Sequence, residues 1–212
     1  MARTALPAVI LAGGAGRRLG GVDKALVALE GRPLIAHVVD RLAGQVSALA
    51  ISANGDPERF GRLGLPVLPD PVPDRPGPLA GVLAGLDWAR AAYPKAPRLL
   101  TVPVDCPLLP ADLVARLLAA GDDDHVVMAA SGGKRHPVVA LWPVGLATAL
   151  RAGLRDGTLR KVETFGAARP HAVVEWPTVP FDPFFNVNTP KELVSVAALR
   201  AIPPSGGGQP DE

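Results

Sequence analysis

The chain has 212 residues, 48% hydrophobic and 20% charged, which excludes a disordered body and leaves enough chain to bury a sizeable core. A net charge of +2 spread along the sequence and only 4% aromatic residues leave no electrostatic or stacking footprint for nucleic acid. The single cysteine, Cys106, excludes a disulfide framework and a cysteine-based zinc cage.

In chain order, short apolar runs alternate with longer amphipathic segments. Ala8-Val9-Ile10-Leu11 predicts a buried strand, and 33–43 predicts a helix opening on Pro33. The apolar run before Gly13-Gly14 is far short of the roughly 20 residues of a spanning helix. The arginines Arg17-Arg18 follow this run, whereas a signal peptide carries its basic residues ahead of it. A soluble, cytoplasmic protein is therefore expected. Further strands are predicted at 49–52, 66–68, 99–102 and 126–129, with helices over 78–92 and 110–120. Each of these helices opens on a proline, whose missing N–H costs nothing in a first turn.

Beyond residue 136 the pattern predicts strands at 137–142 and 172–176 and helices at 146–154 and 159–165. The stretch from Phe181 to Asn186 reads as a turn, and the core is the expected place for Phe184 and Phe185. A last helix starts after Thr189-Pro190, with Glu192 spaced for a capping box. Residues 203–212, rich in Pro and Gly, read as a disordered tail. Strand–helix alternation with nearly continuous apolar strands predicts an α/β protein with a mostly parallel sheet covered on both faces. In such sheets ligands bind beyond the carboxyl ends of the strands.

The first strand leads into Leu11-Ala12-Gly13-Gly14-Ala15-Gly16-Arg17-Arg18-Leu19-Gly20-Gly21, followed by Asp23-Lys24. Glycine lets backbone N–H groups approach an anion, and Arg18 and Lys24 add charged donors suited to phosphate oxygens. The spacing matches neither a dinucleotide fingerprint nor a Walker loop. Arg17 reads as a surface residue. Asp105, at the end of the strand before it, is suited to Mg²⁺ in company with substrate phosphates, or else caps a following helix. Cys106 has no histidine beside it in sequence and reads as a bystander rather than a nucleophile. Asp70, between two prolines, reads as a turn former or as a carboxylate free to accept hydrogen bonds from a ligand. Asn186 and Asn188 flank Val187, so an extended stretch points both amides the same way. His136 is a candidate for the pocket wall, the other histidines are too scattered for a metal triad, and Asp122-Asp123-Asp124 reads as a solvated loop.

The run Leu11-Ala-Gly-Gly-x-x-x-Arg18-Leu-Gly-Gly-x-Asp23-Lys24 resembles the signature loop of nucleotidyltransferases. With Gly31-Arg-Pro-Leu-Ile35, Pro76-Gly-Pro-Leu-Ala-Gly81, Pro103-Val-Asp-Cys-Pro107 and Asp182-Pro-Phe-Phe-Asn-Val-Asn-Thr-Pro190, it resembles the molybdenum cofactor guanylyltransferases over about residues 6 to 200. The resemblance implies a three-layer, Rossmann-like nucleotidyltransferase fold in one domain over 1–202. GTP would bind the part from about 6 to 120, and molybdopterin the part from about 121 to 202. It further implies transfer of GMP from GTP to molybdopterin, with Mg²⁺ on Asp105 and charge neutralisation by Lys24 and Arg18. GTP contacts carry over to Leu11, Ala12, Gly13, Gly14, Lys24, Ser52, Asp70, Gly81 and Asp105, and molybdopterin contacts to Asn186 and Asn188. At Ser52 relatives often carry Asn, which puts that contact in doubt; Asn54 would share its face if the stretch stayed extended. Gly81 reads as clearance for the nucleotide, or else as ordinary tight helix packing. A monomer is expected, with handover of product to molybdoenzymes or their chaperones and no nucleic-acid or membrane partner. Rival readings are a sister transferase using CTP or another phosphorylated acceptor, and a carrier that has lost the chemistry.

Overall fold

The computed structural model describes residues 5–13, 15–16, 22–72 and 77–200. β1 (Pro7–Leu11) leads to a short ribbon, β2 (Ala15–Gly16) with β3 (Val22–Asp23), and to a 3₁₀ turn at Lys24–Leu26. A hairpin of β4 (Ala28–Leu29) and β5 (Arg32–Pro33) then enters α1 (Leu34–Leu42). β6 (Ala48–Ser52), a 3₁₀ segment at Pro57–Leu63, β7 (Val67–Leu68), α2 (Pro78–Ala92) and β8 (Arg98–Pro103) follow. The remainder is α3 (Leu113–Ala119), β9 (Val126–Ser131), β10 (Lys134–Pro143), α4 (Ala147–Arg155), α5 (Val162–Ala167), β11 (His171–Trp176) and α6 (Pro190–Arg200).

Seven strands form one sheet in the order β11-β9-β10-β8-β1-β6-β7. β10 runs antiparallel to β8 and β9, and the other pairs are parallel. Side chains of successive strand residues leave opposite faces, and each face has its own core. Ala8, Ile10, Ile51, Leu100 and Val102 pack against Ile35, Val38 and Leu42 of α1 and Leu113 and Leu117 of α3. Val9, Ala50, Leu99 and Met128 pack against Val82, Leu83 and Leu86 of α2, Leu150 of α4 and Phe165 of α5. The result is a three-layer α/β/α arrangement. Ile10 and Leu83 are completely buried, and each such side chain contributes about 1.5–3 kcal/mol to the fold. A third cluster of Leu29, Leu34, Leu108, Val187 and Val196 seats α6.

Several boundaries differ from the sequence expectation. The chain after Asp105 does not enter a helix at residue 110; α3 begins only at Leu113, after a turn in which the Leu113 N–H donates to the Pro110 carbonyl at 3.2 Å. The helix predicted over 159–165 forms at Val162–Ala167, because Leu159 is drawn onto Gly153, whose carbonyl accepts its N–H at 3.1 Å. The β4–β5 hairpin was not predicted; Glu30 and Gly31, with φ of 50° and 77°, make the left-handed pair that a two-residue turn demands. Phe184 is buried in the core, as expected, and Phe185 lies half-buried beside α6. The tail at 203–212 lies outside the described residues.

α2 owes its close approach to the sheet to two glycines. A Cβ on Gly85 would sit 2.8 Å from Leu99 Cδ2 and 2.9 Å from Val9 Cγ2. Val9 is β-branched and fixed in a central strand, so it cannot give way. Gly85→Ala is therefore expected to destabilise the protein by about 1–2 kcal/mol despite alanine's better helix propensity. Urea unfolding would show it, and an unchanged midpoint would contradict this packing.

Candidate active site

β1 and β8 lie side by side, but the chain leaves β1 for α1 on one face and reaches β8 through α2 on the other. Their carboxyl ends therefore diverge, and a crevice opens between them, as parallel sheets require at a switch point. A cavity of about 250 Å³ fills that crevice. Its walls are Leu11, Ala12 and Gly13 after β1, Pro103, Val104 and Asp105 after β8, and Pro78, the first residue of α2. Lys24, Val138 and Asn186 complete it. A larger depression of about 600 Å³ lies at the opposite end of the sheet, around Leu6, Ser47 and Leu118. Its lining is mainly apolar and carries no charged side chain, so it lacks the chemistry of the smaller one.

Lys24 and Asp105, far apart in sequence, meet in the crevice. Lys24 Nζ donates to Asp105 Oδ2 and to Asn188 Oδ1, each at 2.6 Å, with the lysine side chain 14% exposed and the aspartate 20%. Local structure fixes both. Asp23 accepts the Ala25 N–H on Oδ1 at 3.0 Å and so starts the 3₁₀ turn whose first residue is Lys24. Asp105 caps no helix: its carbonyl accepts the Val187 N–H at 2.9 Å, which docks residues 186–188 alongside it. Val187 faces the core while Asn188 meets Lys24 and Asn186 lines the cavity, the alternation predicted for an extended stretch. The capping box at α6 holds the far side. Thr189 Oγ1 accepts the Glu192 N–H at 3.3 Å, and Glu192 Oε2 accepts the Asn188 N–H at 2.7 Å. That backbone bond is the main cause holding the Glu192 carboxyl below its usual range.

Cys106 is 1% exposed, and its thiol donates to Asn186 Oδ1 at 2.9 Å. Burial first, and then the charge of Asp105, push the Cys106 thiol well above its ordinary pKa. A neutral, enclosed thiol is a poor nucleophile. Cys106→Ser keeps a donor toward Asn186 and is expected to change turnover by less than about threefold. A loss of several orders of magnitude in a steady-state assay would restore the nucleophile.

On the β6 side, Asp70 and Asn54 hold each other: Asn54 Nδ2 donates to Asp70 Oδ2 at 2.7 Å, and the Asp70 N–H donates to Asn54 Oδ1 at 2.9 Å. Ser52 is buried at 3% exposure beneath α2, where a Cβ on Gly81 would lie 2.7 Å from Ser52 Oγ and 2.8 Å from Leu11 Cδ2. Gly81 thus serves close packing of α2 on β1 and β6. β6 ends at Ser52, which is buried, whereas Asn54 is exposed and turned to Asp70. Gly14, Arg17 and Arg18 lie outside the described residues.

His136 is not in the cavity wall. It is buried against Phe184, with ring centroids 4.8 Å apart, and Nε2 lies 2.7 Å from Ser131 Oγ, which donates to Asp182 Oδ1 at 2.8 Å. Burial lowers its pKa, against the opposing pull of Asp182. Asp122, Asp124 and His125 form the metal-compatible cluster found among the described residues, on the exposed loop before β9, at the opposite end of the sheet from the crevice. Asp123 there pairs with Arg98 at 3.1 Å. Sequence reasoning missed Arg59, which sits behind Asp23 and Asn54 and carries no motif. Among the described residues no helix is long and apolar enough to cross a membrane.

A lysine and an aspartate thus face a glycine-edged crevice at the switch point of a sheet covered on both faces, where α/β proteins bind their ligands. The MobA-like NTP transferase domain family matches residues 8–171, and the chain belongs to this family. A molybdenum cofactor guanylyltransferase of Rhodopseudomonas palustris (strain BisB5) is 56% identical over 197 residues, covering 92% of this chain and 94% of the relative. Another, of Bradyrhizobium sp. (strain ORS 278), is 52% identical and covers 94% of this chain and 95% of its own. Among solved structures, molybdopterin-guanine dinucleotide biosynthesis protein A of Archaeoglobus fulgidus shares the fold. Its TM-score is 0.69 at 22% identity, covering 92% of this chain and 98% of that one.

Proposed function

We propose that this chain transfers GMP from GTP to the terminal phosphate of molybdopterin, giving the guanine dinucleotide form of the cofactor and pyrophosphate. The observation that carries the reading is the Lys24–Asp105–Asn188 contact in the crevice beyond β1 and β8. It supports the reading because a cation and a carboxylate meet in the crevice that a triphosphate laid along the loop after β1 would enter.

The triphosphate lies against Leu11, Ala12, Gly13 and Gly14, with backbone N–H groups and the Lys24 and Arg18 side chains as donors. Asp70, held by Asn54, faces the base or ribose; Ser52 and Gly81 shape the floor beneath it. Asn186 and Asn188 take the pterin acceptor. An oxygen of its terminal phosphate forms a bond to the α-phosphorus of GTP, the bond from that phosphorus to the β-bridging oxygen breaks, and pyrophosphate leaves. Lys24 and Arg18 offset the charge that moves onto the leaving group, so catalysis is positioning and electrostatics with no covalent enzyme intermediate.

Asp105 fits Mg²⁺: it is a hard oxygen donor, partly exposed at the cavity, and already engages a cation, the Lys24 ammonium. Bound there, Mg²⁺ supplies Lewis-acid stabilisation of phosphate charge. The nucleotide occupies the part from about 6 to 120 and the acceptor the part from about 121 to 202. We place the reaction in the cytoplasm, performed by a monomer that passes its product to a molybdoenzyme or its chaperone.

Label position tests the reaction. With GTP labelled on the α-phosphate, label is expected in the pterin product; with γ-label, in pyrophosphate. An α-label that stays with free nucleotide would overturn the reading.

A further inference from the structure

Arg59 stands outside the cavity wall, in the 3₁₀ segment after β6, yet its guanidinium ties two sides of the site together. Nε donates to Asp23 Oδ2 at 2.7 Å, Nη2 donates to the Asn54 carbonyl at 2.7 Å, and Nη1 donates to the carbonyl of Asp56. The buried Phe60 ring lies beneath, its centroid 4.5 Å from Cζ. Gly55, at φ 84°, makes the left-handed turn that leads the chain from Asn54 to Asp56. The guanidinium is thus held by acceptors around its edge and an aromatic face under its plane, a geometry that a planar fork satisfies and a point charge does not.

Each group it holds leads into the site. Asp23 carries the Ala25 N–H on its other oxygen and so sets the turn that presents Lys24. Asn54, held through its carbonyl, keeps its side chain locked to Asp70. We infer that Arg59 is a positioning residue that fixes Lys24 relative to the Asn54–Asp70 pair, so that the phosphate and nucleoside sides of one bound nucleotide are held at a set spacing. The assignment of the two sides rests on the guanylyl-transfer reading; the tie itself does not. The Arg59 and Asp23 side chains are 22% and 23% exposed, so solvent only partly screens the tie.

The test uses the full chain and the variants Arg59→Ala, Arg59→Lys, Asp23→Ala and the Arg59→Ala/Asp23→Ala double variant. Hydrogen exchange at the Ala25 amide, read without nucleotide, is expected to speed up about tenfold or more in Arg59→Ala. Affinity for GTP with Mg²⁺ is expected to fall about tenfold, with the molybdopterin KM within about twofold of the unsubstituted protein. Losses in the double variant should be less than additive, since both substitutions cut one tie. Arg59→Lys should restore part of the affinity by keeping the charge opposite Asp23. Unchanged Ala25 exchange, additive losses, or an equal rise in both KM values would overturn the inference. Faster exchange in a protein that binds no nucleotide even when unsubstituted would support the tie and overturn the guanylyl-transfer reading instead.

Discussion

Replacing Asp105 with alanine is expected to lower turnover about a thousandfold or more, equivalent to some 4 kcal/mol of transition-state stabilisation, while the protein stays folded. The size follows from the role: a carboxylate at the end of β8 can hold a divalent cation against the phosphates, and a methyl group cannot. The fold should survive because the structural bond at this position comes from the Asp105 backbone, whose carbonyl accepts the Val187 N–H at 2.9 Å and is untouched by the substitution. Lys24 keeps Asn188 Oδ1 at 2.6 Å as a partner. Breaking this ion pair, whose side chains are 14% and 20% exposed, costs about 1–3 kcal/mol in stability, less than the roughly 5–15 kcal/mol that holds a domain folded. Circular dichroism and thermal melting would be read beside the rate. A variant that folds and still turns over within tenfold of the original would remove Asp105 from the chemistry. The carrier alternative separates here as well, since a carrier would keep its pterin affinity and have no turnover to lose.

Lys24→Met should cut turnover by about a hundredfold to a thousandfold, a loss of about 3–4 kcal/mol. Methionine matches the apolar stem but removes the charge that offsets departing pyrophosphate. Lys24 also bridges Asp105 and Asn188, so the substitution unpairs two facing groups, and some loss of acceptor binding should accompany the loss in kcat. Steady-state kinetics with each substrate varied separately would resolve the two effects. A rise in the GTP KM with kcat unchanged would make Lys24 a ground-state contact only.

The layer architecture was readable because β1, β8 and β9 are nearly unbroken apolar runs, a pattern that only a sheet covered on both faces sustains. α2 was readable to the residue, since Pro78 opens it and the apolar pattern runs to Ala92. Boundaries failed where tertiary contacts outweigh local pattern. Asp112 accepts the Trp176 Nε1–H at 3.0 Å, and α3 starts beyond it rather than at Pro110. Leu159 packs on Gly153 instead of joining α5. In the candidate site, Lys24, Asp105 and the asparagines were legible as residues but not as an arrangement. Their bonds span 81 residues from Lys24 to Asp105 and 164 from Lys24 to Asn188, distances no periodicity reports. Arg59 was invisible for the same reason: a lone arginine in a polar stretch acquires meaning only when folding brings Asp23 within 2.7 Å of it.

Guanylyl transfer to molybdopterin is tested most directly by pyrophosphate release from the unsubstituted protein given Mg²⁺, molybdopterin and each of GTP, CTP, ATP and UTP in turn. Release with GTP alone is the predicted result. Release with CTP and not GTP would keep the fold and the crevice chemistry but contradict the base assignment, at Asp70 and Ser52, and release with none of the four would contradict guanylyl transfer to molybdopterin itself.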